Sequence, residues 1–542
     1  MAAIQKREFA VSFLFKYDPD NTHKAQVALF RDIDSARYFK PKLVPISGVV
    51  DRERDANPLA TALRLIEEEA TLDFTSNSIE LLRRGKPYTY VRESPGRQGT
   101  VYPFAFRLED GGGAEARITA DRLQVGWGWH DPLEAAGSDE LFGGVPWWKD
   151  SLRRVWPEID LGAEAGGVLA AGLERLQTDH ESGARQLAAV AVSILRDVVV
   201  AVAESGSDSD GAAAALDGTW WAKIRMVAWH IWKNGRESMG AAIVSALVTT
   251  LDRVENVLEV NRSPDGGQRL RQILRTINDY LAGRESAVWK IQSSFLQHNR
   301  DRRTTCNKSP PGLTVLTLSS SSTISTCLLQ AIRDTDVGTT LDIRILESRP
   351  LCEGVTLASK LLSETRQTDP GLGERVRITL YSDASAALAS EGVDLVLLGA
   401  DRISAAGDVS NKTGSLPAVL SAKHVAPGAQ VVVLSEVEKV AGPGEAGAHA
   451  AEENDAAELM QGWRLGGVKG AERVVEESIN SSAIELDLMH SPNLEVKNIY
   501  FEWVPAHLID VYITEEGVWS VNEIRQRSDW IGAEIQRFFG DL

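Results

Sequence analysis

The chain has 542 residues, a length that predicts two or three domains. Its hydrophobic share of 43% and charged share of 25% are typical of soluble globular proteins. The net charge of −18 and the pI near 5.1 argue against a nucleic-acid-binding function, which needs a basic face to neutralise phosphates. We therefore expect no direct contact with nucleic acid, and an anionic metabolite would need a small local basic site.

Cysteine usage and the apolar runs indicate a cytoplasmic protein without a membrane span. Cys306, Cys327 and Cys352 lack the spacing of metal ligands, and a disulfide framework is not expected in so long a chain. The N-terminal stretch has no long apolar segment of the signal-peptide kind. The most apolar later stretch, LAAVAVSILRDVVVAVA, is interrupted by Arg196 and Asp197, so we expect a buried helix.

Residues 1–160 are expected to form an α+β domain. The runs FAVSFLFKY and AQVALFRD predict two strands joined by a turn, and KPYTYV, VYPFAFRL and RLQVGWGW predict three more. Between them, ANPLATALRLIEEEATL has the apolar spacing of a helix. The stretch WWKDSLRRVWPEID predicts the helix that closes this domain.

Two further domains are predicted from a change in the spacing of apolar residues along the chain. Residues 165–305 have the helical period throughout, which predicts a helical domain. From residue 312 to residue 542, short apolar runs such as TVLTL, LDIRIL and VDLVLLG alternate with helical stretches. This alternation is typical of a Rossmann-like parallel sheet domain with helices on both faces. An acidic segment rich in Ala and Gly, 436–465, is expected to be a disordered insertion.

Three stretches of the last domain carry a family resemblance. They are LESRPLCEGVTLASKL, GADRISAAGDVSNKTGS and FEWVPAHLIDVYITEEGV, in that order. With them, residues 165–542 resemble the family that joins the α, β and δ subunits of eukaryotic translation initiation factor 2B with two isomerases, of methylthioribose 1-phosphate and of ribose 1,5-bisphosphate. The resemblance implies a phosphorylated small-molecule ligand, no cofactor for this region, and assembly with a second copy or with related subunits.

Polar residues at the predicted strand ends are the candidate site. Asp401 follows the strand VDLVLLGA at the carboxyl edge, where ligands bind in such sheets. Asn411 and Lys412 precede a helical run, and a helix N-terminus beside an ammonium attracts anions. Arg349 follows the strand LDIRIL and is suited to a phosphate, or else forms a structural ion pair. By the resemblance, Asp401 would be catalytic in an active enzyme and Arg236 matches a family arginine.

The stretch VLTLSSSSTIST, 315–326, bears on whether the site is catalytic. The isomerases carry a cysteine in the loop after the first strand, and the resemblance places Ser319 there. A thiol exchanges protons near neutral pH, whereas a hydroxyl without an attached base does not. Ser319, Ser320 and Ser321 either bind the ligand or cap the following helix. Ser182 stands where the isomerases have an arginine.

The stretch GVVDRERDANPLATALRLIEEEATL, 48–72, resembles a Nudix box, which implies a Nudix-like α/β/α fold for residues 1–160. In such a motif, glutamates on one helical face hold Mg²⁺ against a pyrophosphate. Glu68 and Glu69 match and are the candidate metal ligands, but Leu65 replaces the first glutamate. We therefore predict a degenerate domain in which Mg²⁺ binding and hydrolysis are weak or absent.

Taken together, these observations predict a non-catalytic regulatory protein that binds a phosphorylated sugar or nucleotide. The alternatives are an active aldose–ketose isomerase acting on a ribose phosphate and a Nudix-type pyrophosphohydrolase. A thiol at the strand end would favour the isomerase, and a complete glutamate set would favour the hydrolase. Neither is found at its expected position, although Cys306 lies just before the strand, at the opposite end of the predicted sheet.

Overall fold

The computed structural model describes most of the chain. The described ranges are 5–18, 21–32, 43–72, 79–92, 97–108, 115, 118, 124–138, 146–179, 182–205, 216–260, 265–305, 312–333, 340–368, 375–444, 453–484 and 494–542. Cys306 and the centre of the segment 436–465 lie outside these residues. The structure is a mixed α/β fold with helical content and parallel strands.

The first part of the chain is built on an eight-stranded mixed sheet. Its centre is a parallel pair of long strands, β1 (Gln5–Asp18) and β7 (Arg97–Leu108). The other strands are β2 (Asn21–Asp32), β3 (Leu43–Val44), β4 (Ile46–Val49), β5 (Ile79–Arg84), β6 (Tyr88–Arg92) and β8 (Gln124–His130). Sequence patterning missed β5, whose residues IELLRR include two arginines and have only a weak strand pattern.

Helices cover both faces of this sheet, because β1 is apolar on both. Ala10 and Leu14 face a core shared with helix α1 (Pro58–Ala70). Phe13 and Phe15, on the opposite face, pack in a core that contains residues of the helix Pro146–Val155. Alternate residues of a strand point to opposite faces, so an apolar run on both faces requires two covering layers. The short helices near this second face are α2 (Pro132–Gly137), α3 (Pro146–Val155) and α4 (Glu158–Leu161).

The middle of the chain is a bundle of long helices. They are α5 (Ala163–Thr178), α6 (Ala184–Ser205), α7 (Gly218–Asn234), α8 (Gly240–Val260), α9 (Gly266–Glu285) and α10 (Ala287–Thr305). Among the described residues, α6 is the one helix long and apolar enough to cross a membrane, but 61% of its most apolar window is buried inside the protein. Leu187, Val192 and Val199 of α6 lie in the bundle core, so the helix has the role expected from the sequence.

The last part of the chain contains a seven-stranded sheet that is parallel except at one edge. Its strands, in spatial order, are β11 (Val376–Tyr381), β10 (Thr340–Leu346), β9 (Gly312–Leu318), β12 (Leu395–Leu398), β15 (Gln430–Leu434), β19 (Val511–Thr514) and β20 (Gly517–Trp519). From β9 the chain first moves outward to β10 and β11, and then returns to β12 on the other side of β9. The crevice at this reversal, at the carboxyl ends of β9 and β12, is where such sheets bind ligands.

Helices and small sheets complete this region. The helices are α11 (Ser322–Arg333), α12 (Glu353–Thr368), α13 (Ala386–Ala389), α14 (Ser415–Val425), α15 (Ala456–Leu465), α16 (Ala471–Ile484) and α17 (Val521–Phe539). The short strands are β13 (Arg402–Ile403), β14 (Val409–Lys412), β16 (Glu453–Asn454), β17 (Asn498–Ile499) and β18 (Phe501–Val504).

The prediction of a disordered insertion at 436–465 is wrong for its described residues. Residues 437–439 form a short 3-10 helix, and α15 begins at an N-cap in which the Asp455 carboxylate accepts a hydrogen bond from the Ala457 N–H. Strand β16 pairs with β17, which ties this segment to the sheet domain. Composition misled here because the acidic residues cap and pair instead of remaining solvated.

Candidate functional site

A cavity of about 720 Å³ lies between the helical bundle and the carboxyl edge of the parallel sheet. The cavity lies at the point where the strand order reverses, because its lining includes Ser319, which directly follows β9, and Asp401, which follows β12. Most of the predicted ligand-binding residues line this cavity, and Arg349 does not. The predicted residues in its wall are Arg236, Ser319, Ser320, Ser321, Asp401, Asn411 and Lys412.

Ser319 has an unusual backbone at the end of β9. Its φ of 63° lies in the left-handed region, which costs about 1 kcal/mol or more for a residue with a Cβ. The hydroxyl donates a hydrogen bond to the Glu353 Oε2 at 2.9 Å, and the Ser319 N–H donates to the Ser348 hydroxyl at 2.7 Å. Ser319 is therefore held in one orientation by a carboxylate that sequence reasoning had not assigned to the site.

Glu353 reaches the cavity because the first turn of α12 packs closely on β10. A Cβ at Gly354 would lie 2.0 Å from the Leu346 carbonyl oxygen, so only glycine permits this approach. Glu353 contacts two groups. Its Oε2 accepts from Ser319, and its Oε1 lies 3.4 Å from the Lys412 Nζ.

A second ion pair in the cavity wall also acts on Asp401. The Lys439 Nζ is 3.1 Å from the Glu436 Oε2, and the Glu436 Oε1 accepts a hydrogen bond from the Thr323 hydroxyl at 3.0 Å. Glu436 is 3% exposed, so its pairing is needed to offset desolvation. Both residues fall in the segment that was expected to be disordered, which explains why they were missed.

Burial raises the pKa of Asp401, while the ammonium groups of Lys439 and Lys412 oppose this rise. The carboxyl group is thus close enough to both ion pairs of the cavity for their charges to shift its pKa. A carboxyl with a raised pKa is suited to donate or accept a proton, and perturbed pKa values are common at functional sites.

The wall from the helical bundle carries the cavity's other two cations. Arg236 follows α7, and its Nη1 donates a hydrogen bond to the Asp179 carbonyl oxygen at 2.6 Å. Arg185 lies in the first turn of α6, 3.9 Å from the Glu436 carboxylate, and its Nε has no hydrogen-bond partner among the described residues. Arg185 follows Ser182 by three residues and lines the same cavity, so it brings a guanidinium to a wall where the resemblance indicated a lost arginine.

The third wall is acidic and comes from the start of α15. Asp455 and Glu458 line the cavity together with Asn454 and Tyr500. The Glu458 Oε2 accepts hydrogen bonds from the Asn498 amide at 2.9 Å and from the Tyr500 hydroxyl. The ring of Tyr500 also lies 4.9 Å from the Lys412 ammonium, so this wall continues directly from the Glu353 pair.

The serine run has a capping role whatever else it does. The Ser321 hydroxyl accepts from the Ile324 N–H at 3.4 Å, and the Ser321 carbonyl oxygen accepts from the Ser325 N–H at 2.9 Å, so Ser321 begins helix α11. Ser320 is exposed and Ser321 half-buried in the cavity wall. Asn411 is likewise used internally, because its amide donates to the Ser415 hydroxyl at 2.9 Å.

Arg349 lies outside the main cavity, contrary to its predicted role as a phosphate ligand there. Its Nε donates to the Glu347 carboxylate at 3.0 Å, and its side chain is 63% exposed. It lines a small neighbouring cleft with Lys412 and Tyr500. The strand end was identified correctly, but the guanidinium turns toward the carboxylate two residues earlier, which is the structural ion pair considered as the alternative.

The Nudix-like stretch is occupied by ion pairs. Arg64 binds the buried Asp55 with two hydrogen bonds, of 3.0 and 2.9 Å, and lowers the pKa of that carboxyl to about 2. Arg64 and Arg54 also pair with Glu68, at 3.0 and 3.4 Å. No group of three or more metal-ligating side chains occurs among the residues that the structure describes. Glu68 is thus paired with arginines, and with Leu65 in place of the motif's first glutamate the set does not fit Mg²⁺.

Comparison with known proteins identifies a family for the larger part of the chain. The model of the Initiation factor 2 subunit family matches residues 236–521, more than half of the chain. A methylthioribose-1-phosphate isomerase of Stutzerimonas stutzeri (strain A1501) is 25% identical over 363 residues, 64% of this chain and 87% of the relative. Another, of Heliobacterium modesticaldum (strain ATCC 51547 / Ice1), is 32% identical over 175 residues, 32% of this chain and 41% of the relative.

Two solved structures illustrate the same similarity. The translation initiation factor eIF-2B of Pyrococcus horikoshii OT3 has a TM-score of 0.41 and 18% identity, covering 65% of this chain and 96% of that one. The 5-methylthioribose 1-phosphate isomerase of the same organism has a TM-score of 0.41 and 17% identity, with coverage of 69% and 88%. The Nudix-like assignment of residues 1–160 and the domain boundaries remain predictions.

Proposed function

The chain belongs to the Initiation factor 2 subunit family, and on that premise we propose that it is a non-catalytic cytoplasmic protein that binds a phosphorylated sugar or nucleotide in this cavity and acts as a regulator. The observation that carries the proposal is the arginine wall. Arg185 and Arg236 lie beside the N-terminus of the 22-residue helix α6, in a protein whose net charge is −18. A helix N-terminus with adjacent guanidinium groups is an anion site.

The absence of turnover follows from the group at the end of β9. Ser319 stands where the resemblance places the isomerases' thiol, and its hydroxyl already donates to Glu353. An alkyl hydroxyl does not titrate near neutral pH, so Asp401 would have to serve both proton transfers of an aldose–ketose isomerisation. Losing one acid–base partner costs about 10²–10⁴-fold in rate.

The second candidate is an active isomerase, which the relatives named methylthioribose-1-phosphate isomerase make worth testing. The observation in its favour is that two carboxyl groups, of Asp401 and Glu353, line one cavity. Glu353 would then replace the thiol as the second proton carrier. Its engagement with both Ser319 and Lys412 disfavours this, because each oxygen of the carboxylate already has a partner.

A thermal-shift screen against phosphorylated sugars and nucleoside phosphates tests the binding proposal. We expect at least one phosphate ester to raise the melting temperature, and the Arg236→Gln variant to lose most of that rise. Arg52→Gln is the matched control, because Arg52 pairs with Glu8 on the first sheet, away from the cavity lining. A screen without any stabilising phosphate ester would contradict the proposal.

We also propose, from the resemblance, that the protein self-associates or assembles with related subunits through its sheet domain. The first domain would then serve binding or assembly and not hydrolysis, since Glu68 of its Nudix-like stretch forms ion pairs with Arg54 and Arg64. Sedimentation velocity at micromolar concentration tests self-association. A single species at the monomer mass of 59.1 kDa, with no larger species as concentration rises, would contradict it.

A further inference from the structure

Each of the two lysines in the cavity wall has a carboxylate within ion-pair distance. Lys412 lies 3.4 Å from Glu353, and Lys439 lies 3.1 Å from Glu436. Lys412 is further enclosed by the rings of Tyr500 and Phe501, at 4.9 and 4.7 Å. An incoming phosphate at Lys412 would have to displace Glu353 or be repelled by it.

The groups around Glu353 are hydrogen-bond acceptors. The Ser319 hydroxyl donates its one hydrogen bond to Glu353, so toward the cavity it can act only as an acceptor. The carboxylates of Asp455 and Glu458 lie in the adjoining wall. The Tyr500 hydroxyl likewise donates its one hydrogen bond to Glu458. This pole of the cavity, which we call the acceptor pole, therefore favours hydroxyl or amine groups of a ligand over a second anion.

Another part of the cavity wall, which we call the arginine pole, carries guanidinium groups. Arg185 and Arg236 line the cavity there with Ser182 and Gly183, at the start of α6. The buried Nε of Arg185 has no hydrogen-bond partner among the described residues, and its guanidinium is 3.9 Å from Glu436, beyond hydrogen-bond distance. A phosphate oxygen would supply the missing acceptor.

We propose that Glu353 is a built-in counter-ion that closes the Lys412 position to phosphate, so that the cavity selects a ligand with a single phosphate ester and a donor-rich far end. This rests on the proposed function, and it narrows the ligand to a class. A pentose monophosphate or a nucleoside monophosphate fits both poles. A bisphosphate places its second phosphate against Glu353 and the acidic wall, where like charges repel it.

Calorimetry with ribose 5-phosphate and ribose 1,5-bisphosphate tests the selection. We expect the wild-type protein to bind the monophosphate at least tenfold more tightly. In Glu353→Gln the carboxylate charge is lost and Lys412 is exposed to anions, so the preference for the monophosphate should shrink at least tenfold. Glu364→Gln is the matched control, since Glu364 lies on the same helix but pairs with Arg333 outside the cavity lining.

Three outcomes would overturn the inference in distinguishable ways. Equal or tighter binding of the bisphosphate by the wild-type protein would remove the selection. An unchanged ratio in a folded Glu353→Gln variant, and again in Glu353→Ala, would show that Glu353 does not cause it. No heat with either sugar phosphate or with a nucleoside monophosphate, in any variant, would overturn the proposed function itself.

Discussion

Asn234 and Arg84, 150 residues apart in the chain, are hydrogen-bonded in both directions. The Arg84 N–H donates to the Asn234 Oδ1 at 2.6 Å, and the Asn234 Nδ2 donates to the Arg84 carbonyl oxygen at 3.0 Å. The amide thus pairs with the end of strand β5 much as a neighbouring strand would. Asn234 lies two residues before Arg236, so the first sheet braces the turn that carries an arginine of the cavity.

Replacing Asn234 should destabilise the protein. Asn234 is 5% exposed, and Asn234→Ala leaves both backbone groups of Arg84 without these partners, which costs about 1–3 kcal/mol. Urea unfolding measures the loss. Asn256→Ala is the control, because the Asn256 amide donates to a carbonyl of its own helix at an exposed position. A loss no larger than that of the control would show that the brace contributes little.

The first domain should not hydrolyse nucleoside diphosphate derivatives efficiently with Mg²⁺. Glu68 is paired with Arg54 and Arg64, and Leu65 stands at a ligand position. Chromatographic detection of the nucleoside monophosphate product, with and without Mg²⁺, measures this activity. Robust Mg²⁺-dependent turnover that disappears in Glu69→Gln would mean that the motif is functional despite the missing carboxylate.

Sequence and structure agree most closely for the parallel sheet. Its central strands are largely buried apolar runs such as LVLL of β12, and the residues that follow parallel strands must lie at the carboxyl edge. Strand position correctly predicted that Ser319 and Asp401 lie near each other at this edge, and both line the cavity. Arg236, which also lines the cavity, was assigned by resemblance and not by strand position. Arg349 follows a strand as well, yet its rotamer takes it to Glu347, a choice that strand position does not determine.

The residues missed by sequence reasoning are those whose role depends on a distant partner. Glu353 sits in a motif that was quoted for its resemblance, but its bond to Ser319 spans 34 residues and depends on the close packing of Gly354. Glu436 and Lys439 lie in a segment that composition marks as disordered, and Thr323, 113 residues earlier, helps to hold Glu436. The sequence carried one signal for Arg185, since it lies three residues after Ser182, where the isomerases have an arginine.

Asp401→Asn should stabilise the protein in the absence of ligand at neutral pH. Burial raises the pKa of Asp401, so the charged form is disfavoured in the folded state. That penalty grows as the pH rises above the carboxyl's ordinary value and is complete above the raised one. The neutral amide removes it, and we expect a rise in melting temperature of roughly 2–4 °C at pH 7, the shift for about 1 kcal/mol in a domain of this size.

The pH dependence distinguishes this effect from a packing change. The gain should shrink as the pH falls toward 4, because the carboxyl group of the unfolded chain, whose ordinary pKa is 3.8, is then about half protonated and the two states differ less in charge. Differential scanning calorimetry from pH 4 to pH 8 measures it, with the exposed Asp529→Asn as control. A gain that is the same at all pH values, or a loss at pH 7, would contradict the assignment of a raised pKa.

Binding without isomerisation is the central claim, and one paired measurement tests it most directly. Calorimetry with methylthioribose 1-phosphate is run beside an NMR assay for the ketose product on the same sample. We predict saturable heat that falls at least tenfold in Arg236→Gln, together with no ketose at enzyme-like rates. Ketose that forms at such rates and is abolished in Asp401→Asn would contradict the account. So would an absence of heat with this sugar phosphate, with ribose 5-phosphate and with a nucleoside monophosphate.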